Sequence, residues 1–163
     1  TTDVGTFNAS AESVVSQGGN GGNDTYVFAS TGANNGSDTI KNFQAGDIID
    51  LRAFATDDLP AGLEVADGTD VFGAVSDNDI LLVVDANGSV DTAAEIAALF
   101  GSGDVATNAD VVVSVRNTQT GGNTTLWYVD NNGDTDIAAS EVTLVGTLVG
   151  YNGAALVDAN ILN

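Results

Sequence analysis

The side chains able to do chemistry in this chain are almost all carboxylates. Asp and Glu total 23 against 3 Lys+Arg, and there is neither His nor Cys. The densest oxygen run is Asp130-Asn131-Asn132-Gly133-Asp134-Thr135-Asp136, with Glu141 after it. Counted from Asp130, side-chain oxygens fall at Asp130, Asn132, Asp134, Asp136 and Glu141. That is the spacing with which a calcium loop offers hard oxygen ligands. Thr135 stands where such a loop carries its glycine, and Trp127–Val129 ahead of it reads as a strand, so the spacing is not that of a helix–loop–helix site. A hairpin turn explains the same residues, because Asn-Gly and Asp accept left-handed backbone. Both readings stand at this stage.

The same composition excludes several function classes. Lys41, Arg52 and Arg116 are the only cations. They cannot neutralise a row of phosphates, which excludes nucleic-acid binding. No apolar run approaches the ~20 residues needed to cross a bilayer, so no membrane insertion is expected. Without His or Cys there is no nucleophile–base pair, and Lys41 is the sole lysine. A carboxylate pair acting on a glycosidic bond is the one familiar mechanism left, and nothing singles out two of the 23 acids. The chain therefore reads as a non-enzyme.

A net charge of −20 on one compact body is self-repelling. Either bound cations or a saline solvent must relieve it. Calcium matches the surplus of carboxylate and amide oxygens. Absence of cysteine is compatible with an extracellular protein.

The length suits a single domain, residues 1–163. Gly and Asn punctuate it every eight to twelve residues, with short β-branched runs between, which predicts an all-β sandwich or β-roll-like fold. Expected strands are Thr25–Ala29, Thr39–Phe43, Ile48–Leu51, Val71–Val75, Ile80–Asp85, Val111–Arg116, Thr124–Asp130 and Val142–Val149, with Val14-Val15 as an edge. Alternation along Val111–Arg116 predicts one wet face, whereas Ile80–Val84 is apolar on both faces and belongs centrally. One short helix, about Thr92–Phe100, is announced by a Thr92/Glu95 capping box and stopped at Gly101. Ile96, Leu99 and Phe100 form its apolar face.

Gly19-Asn20-Gly21-Gly22-Asn23-Asp24-Thr25-Tyr26-Val27 matches the calcium nonapeptide pattern at its first Gly, fourth Gly, Asp and large apolar residue, with Asn20 in place of the second Gly. A glycine loop entering a strand is the plain alternative. Asp24-Thr25-Tyr26-Val27-Phe28 is followed by Gly36-Ser37-Asp38-Thr39-Ile40-Lys41-Asn42-Phe43 and by Gly46-Asp47-Ile48-Ile49-Asp50-Leu51-Arg52-Ala53-Phe54. This series resembles the segment closing the RTX repeats of serralysin-like, type I secreted bacterial proteins. Leu126–Asp134 and Leu144–Leu162 resemble the late hairpin and apolar terminus of the same proteins. Residues 59–120 match none of their motifs, which divides the chain into 1–58, 59–120 and 121–163.

The resemblance implies calcium (Ca2+) as cofactor, with Asp24, Asp38, Asp47 and Asp50 at the acidic consensus positions. The stretch 46–50 is one residue shorter than the common protease version. It also implies an extracellular or bacterial cell-surface location and copies of the chain itself as partner, in a surface layer, fibre or adhesive coat. Two rivals are a secretion and folding module of a larger hydrolase and a β-sandwich binding cell-surface polysaccharide through exposed aromatics such as Trp127, Tyr128 and Tyr151.

Overall fold

The computed structural model describes residues 6–8, 15–17, 22–28, 36–54, 64–66, 80–105, 109–133, 136–152, 156 and 160–162. The strands are β1 (Thr6–Asn8), β2 (Val15–Gln17), β3 (Thr25–Val27), β4 (Asp38–Lys41), β5 (Ile48–Asp50), β6 (Glu64–Ala66), β7 (Ile80–Asp85), β8 (Asp110–Asn117), β9 (Thr124–Asp130), β10 (Val142–Val149) and β11 (Ile161–Leu162). Among the described residues one helix, α1 (Ala93–Ala97), and a 3-10 turn at Ala139–Glu141 accompany them. The fold is all-β, as expected, and the described residues contain no helix long and apolar enough to cross a membrane.

Successive strands β1 to β5 alternate between two sheets. One sheet has the order β1-β3-β5-β11 and is parallel throughout; the other runs β2-β4-β10-β9-β8-β7-β6. In the second sheet β2, β4 and β10 are mutually parallel, while β9 is antiparallel to both β10 and β8. The amino-terminal third is thus a parallel two-sheet roll. After β5 the chain leaves the roll to build β6–β9 and the helix. It then returns, placing β10 beside β4 and β11 beside β5. Such parallel neighbours need long crossovers, and here residues 42–141 separate β4 from β10 and residues 51–160 separate β5 from β11.

Two apolar clusters sandwich the seven-stranded sheet. Between the sheets lie Tyr26, Phe28, Ile40, Ile49, Val112, Leu126, Tyr128 and Leu148, among others. On the opposite face Ile96, Leu99 and Phe100 cover Val111, Val113, Val115, Trp127 and Val129. This corrects the expected wet face of β8: Val111 through Val115 are all buried, because the four-stranded sheet covers one side and the helical segment the other. β7 buries one face through Leu81, Val83 and Asp85, but on the other only Ile80 is buried while Leu82 and Val84 are half-buried, and the strand lies next to the edge strand β6.

The helix begins as expected. The Thr92 hydroxyl accepts from the Glu95 N–H at 3.3 Å, and the Glu95 carboxylate accepts from the Thr92 N–H at 2.9 Å. It ends sooner than expected. Ala98 is the C-cap in right-handed geometry, and the left-handed residue is Gly103 (φ 81), not Gly101. Leu99 and Phe100 still pack on the sheet from the following turn. The expected strand 71–75 lies outside the described residues.

Candidate functional site

Asp24 and Asp47 each stand immediately before a strand of the roll, and the register pairs Thr25 with Ile48. Two acidic residues far apart in sequence therefore lie side by side at one corner. Both residues are buried. The Asp24 N–H donates to Asp47 Oδ1 at 3.0 Å, and the Gln44 N–H donates to Asp47 Oδ2 at 2.8 Å. The Asp24 carbonyl accepts from the Ile48 N–H at 2.8 Å, and the Gln44 carbonyl from the Asp47 N–H at 2.9 Å. A Cβ at Gly46 would sit 2.5 Å from Asn23 Oδ1, so the two coils approach through a glycine. From the far end of the chain, Asn160 Nδ2 donates to the carbonyls of Ala45 at 2.9 Å and Asp47 at 3.0 Å.

Asp50 closes β5. Its carboxylate accepts from Arg52 Nε at 2.8 Å and from an Arg52 terminal amine, forming the one ion pair among the described residues. The Arg52 hydrogen bond holds the Asp50 carboxyl below its ordinary range, against the opposing effect of burial. Asp38 is buried too, but it opens β4 in the other sheet, opposite Gly146 of β10. The four family-like acids thus divide three to one between the sheets.

In the β9–β10 connection, Asn132 and Asp136 are exposed, Asp130 and Glu141 half-buried, and Asp134 lies outside the described residues. Glu141 draws the loop together: Oε1 accepts from the Asn132 N–H at 3.2 Å and Oε2 from the Ala138 N–H at 2.7 Å. Asn132 Nδ2 donates to the Asp130 carbonyl at 3.3 Å. Asn131, between the oxygen-bearing positions, points inward; its Nδ2 donates to the Val105 carbonyl at 3.1 Å.

Among the described residues no three acidic side chains converge on a metal-sized space. The oxygens of Asp47 and Asp50 already serve main-chain N–H groups and a guanidinium, so neither offers a calcium ion an uncommitted carboxylate. Asp130, Asn132, Asp136 and Glu141 share the β9–β10 connection but do not converge on such a space either, and the Glu141 oxygens are likewise committed to two main-chain N–H groups.

Three polar side chains are buried anchors, and of these the sequence marks Asp85 with Asn87 only as a solvated turn at a strand end. Asp85 is fully buried, and its Oδ1 accepts from the N–H groups of Asn87, Gly88 and Ser89 at 3.3, 2.8 and 3.1 Å, while Oδ2 accepts from Val90 at 3.3 Å. Its available signal was Asn-Gly two residues on, the mark of a side chain folded back on its own turn. Asn131 had a similar signal in Gly133. Asn160 had none, because its partners lie more than a hundred residues away.

No protein-family model, curated protein or solved structure matches the chain.

Proposed function

We propose that this chain is a non-enzymatic, calcium-stabilised extracellular structural domain whose copies assemble into a surface layer, fibre or adhesive coat after type I secretion. The observation that carries this reading is the charge balance of the folded body. Twenty net negative charges meet one internal ion pair among the described residues, and that pair consumes Arg52. Relief of the repulsion has to come from solvent cations. Calcium supplies compact positive charge to carboxylate and amide oxygens, and the β9–β10 connection with Asp130, Asn132, Asp136 and Glu141 would have to close around the ion to hold it, since its described acids do not converge without one. A cation that binds only the folded chain raises its stability by mass action.

The parallel roll supports the assembly half of the reading. β1 and β2 end their respective sheets among the described strands, so both ladders stop on the same side of the roll. Edge strands of this kind accept a further strand from another chain. Carbohydrate binding through Trp127 and Tyr128 is disfavoured, because both rings are buried at 5% and 4% exposure.

The test is a calcium titration of the purified chain after chelation, followed by circular dichroism and light scattering, with magnesium as control. Calcium is expected to raise the melting temperature and then the scattering, and magnesium to do neither at equal concentration. A calcium-folded chain that stays monomeric replaces assembly with the folding-module role. Melting and scattering indifferent to calcium overturn both.

A further inference from the structure

We propose that Asn132–Gly133 is a site of spontaneous deamidation built into the β9–β10 loop, and that the Asp85 loop shields Asn87–Gly88 from the same reaction. These are the two Asn-Gly pairs in which both residues are described. In the reaction the glycine main-chain nitrogen attacks the asparagine Cγ. The N–Cγ bond forms as Cγ–Nδ2 breaks, and the nitrogen's proton leaves with the amide as ammonia. Water then opens the cyclic imide at either carbonyl, giving aspartate or isoaspartate. Glycine favours attack because no Cβ crowds the nitrogen. Two further conditions are a main-chain N–H that can release its proton and a side chain that can swing onto it.

The two pairs differ chiefly on the first condition. Asn132 and Gly133 are exposed. The Gly133 N–H donates only a long 3.3 Å bond to the neutral Asn131 amide oxygen, and Asn132 Nδ2 holds the Asp130 carbonyl at 3.3 Å. At the other pair the Gly88 N–H donates at 2.8 Å to the buried Asp85 carboxylate. A bond to a charged acceptor is the stronger kind, and it opposes loss of that proton. The Asn87 side chain is also engaged, with Oδ1 accepting from the Ser89 N–H at 3.0 Å.

Conversion at Asn132 adds a negative charge beside Glu141. The isoaspartate product also inserts a methylene into the main chain between the Asn132 N–H that Glu141 holds and the Gly133 N–H that Asn131 holds. A metal held by Asn132 would restrain its side chain, so the comparison is made in the presence of chelator.

The full chain, folded and in mildly alkaline buffer, is sampled over time, digested, and mapped by mass spectrometry for amide-to-acid conversion. Asn132 is expected to convert at least about tenfold faster than Asn87, the factor that breaking one charge-assisted hydrogen bond before reaction imposes. In urea-unfolded chain the two should convert at similar rates. Equal rates in the folded chain overturn the proposal, and so does the same disparity in urea, which would assign it to sequence context instead of to the loops.

Discussion

Replacing Asp47 with alanine separates a structural brace from a metal ligand. The carboxylate accepts two main-chain hydrogen bonds, from Asp24 at 3.0 Å and Gln44 at 2.8 Å. A bond of this charged kind contributes about 1.5–3 kcal/mol. Gln44 is exposed, so water replaces most of its bond after truncation, whereas Asp24 is buried and its N–H loses its acceptor. The expected destabilisation is therefore about 3 kcal/mol, taking the buried bond in full and a fraction of the other. For a chain of this length that lowers the melting temperature by about 6–12 °C. Asp47→Asn keeps one acceptor oxygen but turns an amide N–H2 toward the other donor, and it should fall between alanine and wild type. Urea unfolding is measured in chelator and again in millimolar calcium. As a brace, Asp47 imposes the same penalty in both. As a ligand, it would add about 2.7 kcal/mol of calcium-dependent loss at a hundredfold excess over Kd. A penalty below about 1 kcal/mol in chelator, on the scale of an ordinary surface change, would refute the corner as described.

The Asp50–Arg52 pair gives a pH prediction. Arg52 lowers the folded-state pKa of Asp50, so its contribution is present above the unfolded carboxyl value and disappears as pH falls through the folded one. Arg52→Gln should lower the urea midpoint at neutral pH and converge with wild type in acid; a difference constant across the titration would remove the pair from the account. Ile96 is fully buried under the seven-stranded sheet, and Ile96→Ala should cost about 2–5 kcal/mol by denaturant unfolding. A loss no larger than that of exposed Ala94→Ser would mean the helix does not close that face.

Short-range signals in the chain located most elements. Ile80–Asp85, Thr124–Asp130 and Val142–Val149 begin and end where their β-branched runs meet turn residues, and Thr92 with Glu95 caps the helix across three residues. Interactions of that range are written locally and survive being read one segment at a time. Composition likewise determined the charge of −20 and the lack of His and Cys.

Pairing was decided by the tertiary structure. Nothing near Asp38 announces that β4 will lie beside Gly146, or that Asn160 will clamp the turn before β5. Such contacts repay a long loop closure only when a whole sheet face is covered at once. The same cooperation buried both faces of β8, where alternation had implied one wet side. It also turned Asp47 and Asp50 from free carboxylates into acceptors for neighbouring coils and Arg52. An acid's type and spacing are properties of the sequence, but whether its oxygens remain available depends on which N–H groups the fold brings to them.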